Sequence, residues 1–207
     1  GKTTTLKAIS NLLHAERGDV TKGSIIFDGA EVQDLSPNEL VRRGCIQVME
    51  GRQCFAHLTV EENLWVIARL YGLSEIRRKI DDIVKKLEMG EFRHKVTRKL
   101  SSGQMTRMTL AKALLTEPKI LFLDEPTASL DPDIAQKIRA LLKDEQRASG
   151  LSVLYTSHNM REMEEMSDRI IFLQKGNLVA EGTAAQIVSR FGQADLEDVF
   201  LKLARES

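Results

Sequence analysis

The sequence predicts an α/β fold with a mainly parallel sheet and a helical subdomain. Short apolar segments of strand length alternate with amphipathic helical segments before residue 59 and again after residue 116. This alternation is typical of a parallel sheet flanked by helices. Residues 59–116 instead carry helical periodicity and helix caps. We therefore expect residues 1–58 and 117–207 to form the core, with C-terminal helices in residues 183–207, and residues 59–116 to form a helical subdomain.

The first part of the chain predicts two helices and two strands. Leucine and isoleucine recur at helical spacing over residues 3–14, and a capping box with proline at the first helical position begins a helix over residues 36–43. The strands are expected at residues 24–27, which an Asp-Gly turn closes, and at residues 45–49.

Beyond residue 58 the same patterns predict further helices and strands. A capping box formed by Thr59 and Glu62 begins a helix that ends near Gly72. Amphipathic periodicity predicts later helices over residues 76–87, from about residue 134 to Gly150, and over residues 196–203. The strands are expected at residues 119–124, 151–156, 169–174 and 178–181, the last two joined by a tight turn.

Composition excludes several classes of protein. The net charge of the 207 residues is zero, which gives no electrostatic footprint for nucleic acid. No apolar run approaches 18 residues and no signal peptide is visible, so we expect any membrane role to come through a partner. The two cysteines, Cys45 and Cys54, form no disulfide framework and fit a reducing compartment. A zinc site that also uses His57 is conceivable, although the spacing matches no standard ligand pattern.

The chain opens with Gly1-Lys2-Thr3-Thr4, the end of the Walker A pattern G-x-x-x-x-G-K-[ST]. A bound phosphate chain needs backbone N–H donors at a helix N-terminus, a lysine to neutralise charge and a hydroxyl to hold Mg²⁺. Lys2 and Thr3 fit the last two roles. An ordinary glycine-lysine helix start would give the same four residues, so this motif needs support from the rest of the chain.

A second motif is the apolar segment that ends in Asp124 and Glu125. Ligands of α/β proteins bind at the carboxyl ends of the strands, where these two carboxylates are expected to lie. Asp124 would hold Mg²⁺ through water, and Glu125 would polarise the attacking water. A core strand that simply ends in a charged turn is the alternative, and the upstream Lys2 and Thr3 argue against it.

A third motif, Leu100-Ser101-Ser102-Gly103-Gln104, resembles the L-S-G-G-Q signature of ABC ATPases. It precedes Asp124, the carboxylate that resembles the Walker B aspartate of that family, by about twenty residues, which is the family spacing. Ser101 and Ser102 can cap the helix that starts near Gln104, whose N-terminus then presents donors to a γ-phosphate. Ser102 stands where the family usually has its first glycine.

Further residues complete the resemblance. Ser129-Leu130-Asp131 resembles the D-loop, and His158 resembles the switch histidine that contacts the γ-phosphate. The family's Q-loop falls at Val48 to Arg52, where the glutamine position aligns with Glu50, while Gln47 lies just before it in the predicted strand. We favour Glu50 as the acting residue and keep Gln47 as the alternative.

The resemblance covers nearly the whole chain and implies a P-loop NTPase core of the ABC ATPase type. It implies ATP and Mg²⁺ as ligands, transmembrane permease subunits as partners, and a homodimer or a heterodimer with another ATP-binding subunit. It also implies a cytoplasmic location on the inner face of the cell membrane. Members of the family begin some three dozen residues earlier, so the chain is expected to be N-terminally truncated within its own P-loop and inactive by itself.

The type of transporter is divided between two resemblances. Residues 1–65 resemble ATPases of branched-chain amino acid and urea importers, whereas residues from about 68 onward resemble ATPases of ABC-2-type exporters. The longer stretch favours an exporter subunit. A non-transport ABC ATPase is the rival from another class, although neither a coiled-coil insert nor a second cassette is visible. A binding module without catalytic activity is the third alternative.

Overall fold

The computed structural model describes residues 2–13, 18, 20–48, 54–128 and 130–205, and of Lys2, Thr3 and Val48 it describes the backbone alone. Nine α-helices and seven strands alternate along this part of the chain. The helices are α1 (Lys2–Ile9), α2 (Pro37–Arg42), α3 (Val60–Leu70), α4 (Ile76–Lys86), α5 (Ser102–Leu115), α6 (Pro132–Ser149), α7 (Met160–Met166), α8 (Ala184–Phe191) and α9 (Leu196–Arg205). The strands are β1 (Ile26–Phe27), β2 (Ala30–Glu31), β3 (Cys45–Val48), β4 (Ile120–Asp124), β5 (Ser152–Thr156), β6 (Ile170–Gln174) and β7 (Asn177–Gly182).

The central sheet is parallel and has β4 in its middle. Strands β3, β4 and β5 are hydrogen-bonded in that order, and Asp124 pairs in register with Thr156. The pairs β1–β2 and β6–β7 form antiparallel hairpins. Because parallel neighbours end at the same edge of a sheet, the residues that follow β4 and β5 meet there. The predicted α/β fold with a parallel sheet is therefore confirmed.

Both faces of β4 are covered, which explains why its sequence is continuously apolar rather than alternating. Leu121 and Leu123 belong to the large buried cluster that also contains residues of α3, α4, α5 and α6. Phe122 faces the other way, into a second buried cluster with Leu6 of α1 and Leu40 of α2. The sheet thus lies between the helices of residues 60–115 on one side and α1 on the other.

The helix starts agree well with the sequence patterns. The capping boxes predicted at Ser36 with Glu39 and at Thr59 with Glu62 are both present, and the backbone N–H of Glu62 donates to Thr59 Oγ1 at 3.2 Å. Each box satisfies backbone donors that the first turn of a helix leaves unpaired. None of the helices within the described residues combines the length and apolar composition that a membrane span requires.

Several elements differ from the prediction. Helix α1 ends at Ile9, whereas the prediction extended it to His14, which lies outside the described residues. The reason is Asn11, whose φ of 56° is left-handed and whose side chain donates to Val32 O at 2.6 Å. Strand β1 covers only two of the four predicted residues. Strand β2 and helix α7 were not predicted separately.

Candidate functional site

The carboxyl ends of β4 and β5 are joined by side-chain and backbone hydrogen bonds. Thr156 Oγ1 donates to Asp124 Oδ1 at 2.6 Å. The backbone N–H of Glu125 lies 3.1 Å from Thr156 O and 3.2 Å from Thr156 Oγ1. Thr156 therefore fixes both carboxylate-bearing residues at the edge where a ligand of a parallel sheet binds.

Glu125 has an unusual backbone conformation. Its φ is 47°, in the left-handed region that residues other than glycine seldom adopt. It also precedes Pro126, and a proline disfavours helical conformations in the residue before it. Such a conformation persists only when neighbouring contacts impose it, and it is concentrated at functional sites. The hydrogen bonds to Thr156 supply that constraint, and the Glu125 side chain is 38% exposed.

His158 lies beside Glu125, although the two residues are far apart in sequence. His158 follows β5, and its Nδ1 is 3.1 Å from Glu125 Oε2. The histidine side chain is 70% exposed, so both groups are accessible to a ligand at this edge. A carboxylate that orients water and an imidazole that donates to an anion are the two functions that this pair could supply. Two of the site residues predicted from the sequence, Glu125 and His158, are therefore in direct contact.

Two residues at this edge were missed in the sequence analysis. Thr156 carries no sequence signal, because its role depends on the neighbouring strand. Glu162 lies 7% exposed in the first turn of α7, and its carboxylate accepts hydrogen bonds from Thr127 and Ser157. The spacing from Asn159 to Glu162 is that of a capping box, and it could have predicted the start of α7.

The Walker A residues are only partly within the described structure. Gly1 lies outside it, and Lys2 and Thr3 are described by their backbone alone, which forms the first turn of α1. Thr4, in the same turn, is exposed. Helix α1 is held to the sheet through Leu6, which shares a buried cluster with Phe122 of β4.

Of the two Q-loop candidates, Glu50 lies outside the described residues. Gln47 is in β3, and its Oε1 lies 2.5 Å from the Ser10 hydroxyl, just after α1. Gln47 thus connects β3 to the end of the helix that carries Lys2 and Thr3.

The signature residues form the N-terminus of α5. Gln104 N donates to Ser101 Oγ at 3.2 Å, and Ser101 N donates to Gln104 Oε1 at 3.1 Å, which completes a capping box. Ser102 is the first residue of the helix and has no positive φ, so a serine fits where the family usually has glycine. Ser101 and Ser102 are exposed, and a helix N-terminus favours anions. Gln104 Oε1 accepts hydrogen bonds from Ser101 N and from Lys95 Nζ, so its side chain bonds to residues close to the signature.

The D-loop residues lead from β4 into α6. Ser129 lies outside the described residues, and Leu130 packs against the large buried cluster. Asp131 is the N-cap of α6 by backbone position, but its side chain makes no capping hydrogen bond. Its exposed carboxylate is therefore not committed to the helix start.

The cysteines do not belong to this site. Burial raises the pKa of Cys45 to about 11, so its thiol stays protonated. Cys54 Sγ lies 3.3 Å from Met108 Sδ, inside the helical part. Among the described residues, no three His, Cys, Asp or Glu side chains converge as metal ligands. Mg²⁺ typically uses one or two carboxylates together with substrate phosphates, so the Asp124 carboxylate at the strand end fits that donor set.

Sequence comparison identifies a family. A sequence model of the family described as ABC transporter matches residues 1–128. The spermidine/putrescine import ATP-binding protein PotA of Roseobacter denitrificans is 33% identical over 213 residues, which cover 98% of this chain and 56% of that protein. The Fe(3+) ions import ATP-binding protein FbpC of Rhizobium etli is 32% identical over 189 residues, covering 90% of this chain and 51% of that protein. The chain thus spans about half the length of the curated relatives that it matches.

Solved structures agree with the family match. One, described as an ATP binding subunit of an ABC transporter, superposes with a TM-score of 0.85 at 26% identity and covers 99% of this chain and 83% of that one. Another is a dimeric ATP-binding cassette in a post-hydrolysis state, bound to ADP and Pi. It gives a TM-score of 0.76 at 28% identity and covers 88% of this chain and 80% of that one.

Proposed function

Because this chain belongs to the ABC transporter family, we propose that it binds Mg-ATP and hydrolyses it to power transport through a separate transmembrane permease. The observation that carries the proposal is the pair Glu125 and His158 at the carboxyl edge of the sheet, 3.1 Å apart and next to Asp124. This pair lies where the ends of two parallel strands meet, the edge at which such sheets bind nucleotides. The proposed location is the cytoplasmic face of the cell membrane, beside the permease.

Each site residue has a proposed role. The phosphate chain is bound by the Walker A residues Gly1, Lys2, Thr3 and Thr4. Backbone N–H groups at the start of α1 donate to it, and the Lys2 charge neutralises the β- and γ-phosphates. Asp124 and Thr3 hold Mg²⁺, which neutralises charge on the phosphates when it is bound. Glu125 orients and polarises the attacking water, and His158 donates to the γ-phosphate. Glu50 or Gln47 serves as the Q-loop residue.

The proposed working form is a dimer, in which Ser101, Ser102, Gly103 and Gln104 cover the ATP bound to the other subunit. Two features support this. The signature caps α5, a helix of the proposed subdomain 59–116, and its serines are exposed rather than turned into the chain's own core. In addition, one solved cassette with 28% identity is a dimer bound to ADP and Pi. Asp131, exposed at the start of α6, would lie at the same dimer interface.

The proposed direction of transport is export through an ABC-2-type permease. The support is the resemblance of residues from about 68 onward, including Leu70-Tyr71-Gly72-Leu73. Import is the second candidate, and it is favoured by the relatives PotA and FbpC, which are both import ATP-binding proteins. The genes beside this one discriminate the two. A single two-domain permease gene supports export, whereas permeases together with a periplasmic binding protein support import.

A non-transport ABC ATPase is the rival function. Co-purification of the full-length protein with a permease separates the two, because a repair or ribosome-associated ATPase would copurify with no membrane protein. A binding module without catalysis is separated from both by its lack of ATP turnover.

Replacement of Glu125 by glutamine tests the hydrolysis mechanism. In the full-length protein, Glu125→Gln should keep ATP affinity and lower kcat by about a hundredfold or more, since a positioned base or water-orienting group is removed. Calorimetry gives the affinity, and phosphate release gives the rate. Glu164→Gln on α7 is the matched control, because it is an exposed glutamate away from the strand ends. Near wild-type hydrolysis by Glu125→Gln would rule out the assigned role.

A further inference from the structure

The loops that follow β4 and β5 must be held in register for Glu125 and His158 to act together. Both side chains are substantially exposed, so core packing does not fix them. Their relative position depends on the backbone segments that carry them, residues 125–127 and 157–158. The contacts beneath these segments therefore decide how well the pair is aligned.

One carboxylate bridges the two segments. Glu162 Oε1 accepts a hydrogen bond from Thr127 Oγ1 at 2.5 Å, and Glu162 Oε2 accepts one from Ser157 Oγ at 2.7 Å. Thr127 is two residues after Glu125, and Ser157 directly precedes His158. A single buried side chain thus contacts the neighbours of both site residues.

The roles of the groups around Ser157 are fixed by their partners. Ser157 Oγ accepts from the backbone N–H of Asn159 at 3.0 Å, so its proton is directed to Glu162. The backbone N–H of Glu162 donates to Asn159 Oδ1 at 3.2 Å. A ring of three hydrogen bonds through Ser157, Asn159 and Glu162 therefore lies around the backbone of His158.

Glu162 is ionised at neutral pH. Burial alone would raise its pKa, but hydrogen bonds from Thr127, Ser157 and Tyr155 and the charge of Arg139 on α6 together hold the pKa below its ordinary value. Arg139 Nη1 lies 3.3 Å from Glu162 Oε1. An ionised carboxylate has only acceptor atoms and so suits two hydroxyl donors, whereas a glutamine amide would present donors to one of them.

We propose that Glu162 is a positioning residue for ATP hydrolysis, which holds the segment of His158 in register with the segment of Glu125 by accepting hydrogen bonds from Ser157 and Thr127. It acts through the loops and contacts neither the nucleotide nor the attacking water. The inference rests on the proposed hydrolytic function. It adds a buried residue on α7 to the sheet edge at which Glu125 and His158 lie.

The test uses Glu162→Gln in the full-length protein, with Glu165→Gln as the matched control. Glu165 lies on the same helix and pairs with the same arginine, Arg139 Nε at 3.0 Å, but its side chain is 44% exposed. Glu162→Gln should lower kcat by about ten- to a hundredfold, because a misplacement of about 1 Å costs that much. The KM for ATP should change by less than about threefold, since the phosphate-binding residues on α1 are untouched. Equal kcat values for the two variants overturn the proposal.

The His158→Ala background separates positioning from general destabilisation. If Glu162 acts through His158, then Glu162→Gln should cause little further loss of kcat once His158 is gone, and the two losses should be strongly non-additive. A merely structural role predicts a full additional loss in this background, and that result contradicts the proposal.

Two further variants keep the test valid if Glu162→Gln folds poorly. Thr127→Val and Ser157→Ala each remove one donor, and each should lower kcat with thermal melting close to the parent. Unchanged kcat in both rejects the bridge. If the parent itself hydrolyses no ATP, the proposed function fails, but the bridge remains testable. Hydrogen exchange over residues 157–163 should then be faster in Glu162→Gln than in Glu165→Gln, and equal exchange rejects it.

Discussion

Thr156 and Glu162 show how single polar residues determine the geometry at this sheet edge. Thr156 fixes Asp124 through a 2.6 Å hydrogen bond, and the backbone of Glu125 adopts a φ of 47° while bonded to the same residue. A left-handed glutamate costs on the order of 1–3 kcal/mol, which the neighbouring contacts must offset. The site therefore stores local strain at the residue proposed to orient the attacking water.

Lys2 is the residue on which nucleotide affinity is expected to depend most directly. Lys2→Ala in the full-length protein should weaken ATP binding by about ten- to a hundredfold, because a hydrogen bond to a charged group contributes about 1.5–3 kcal/mol. Calorimetric titration with Mg-ATP measures the change. Lys22→Ala, at an exposed lysine in the first part of the chain, is the charge-matched control. Equal ATP affinities for Lys2→Ala and the parent would contradict the Walker A assignment.

Thr3→Ala, in contrast, should chiefly raise the Mg²⁺ concentration that ATP hydrolysis requires.

At the scale of elements, one arginine connects α3 to α4. Arg93 Nη2 lies 2.6 Å from Glu61 in the first turn of α3 and 2.6 Å from Asp81 on α4. The Arg93 carbonyl also accepts from the backbone N–H of Glu61 at 3.0 Å. The hydrogen bond from Arg93 lowers the pKa of Glu61, so this contact favours the ionised carboxylate.

Removal of that arginine should destabilise these helices. Arg93→Met keeps much of the side-chain stem and should lower the free energy of unfolding by about 1–2 kcal/mol at pH 7, the scale of a partly buried charged hydrogen bond. Because the folded pKa of Glu61 is depressed, its contribution is present above the unfolded pKa of about 4.3 and is lost as pH falls through the folded value. Urea unfolding should therefore show a smaller difference between parent and variant near pH 3 than at pH 7.

Arg78→Met is the control for this experiment. Arg78 pairs with Glu75 three residues earlier on an exposed surface, where an ion pair contributes little. The expected change is below about 0.5 kcal/mol at either pH. If Arg93→Met and Arg78→Met lower the free energy of unfolding equally, the contact of Arg93 with α3 and α4 has no special weight.

The elements that the sequence predicted well are those whose cause is local. Thr59 with Glu62 begins α3 as predicted, because a capping box lies within four consecutive residues. The end of α1 depends instead on Asn11, whose side chain bonds to a carbonyl 21 residues away. The contacts from Thr156 to Asp124 and from Glu162 to Thr127 likewise join residues that are distant in sequence. Motif spacing could therefore propose Asp124, Glu125 and His158 as site residues, but it could not point to the residues that hold them.

At the scale of the whole molecule, the proposed site is divided between two regions of the chain. Asp124, Glu125 and His158 lie at the carboxyl edge of the sheet, whereas the signature caps α5, a helix whose buried residues belong to the large cluster with α3 and α4. In a dimer with twofold symmetry the same surface of each subunit faces its partner, so each interface contains two equivalent sites. The proposal that Ser101 and Gly103 act on the partner's nucleotide then predicts which mutations complement each other.

Mixing two inactive variants of the full-length protein tests this composite site. Lys2→Ala is expected to weaken nucleotide binding, and Gly103→Asp places a negative charge in the first turn of α5, where a phosphate would approach. In a heterodimer of the two, one site combines an intact Lys2 with an intact Gly103, and the other site carries both changes. A random equal mixture contains about half heterodimers with one working site each, so roughly a quarter of the parent ATPase rate is expected if the sites act independently.

The control mixes the parent with the double variant Lys2→Ala, Gly103→Asp: its heterodimers contain one change in each composite site and should be inactive. If each subunit instead used its own signature, the control heterodimers would keep one working site and the test heterodimers none. Mass measurement of the mixed species establishes that heterodimers have formed. The test mixture should then keep about a quarter of the parent rate if the sites are shared between subunits, and none if each site is contained in one subunit. In the control mixture the parent homodimers, about a quarter of all dimers, set a rate of about a quarter of the parent for shared sites, and that rate rises to about half for sites contained in one subunit.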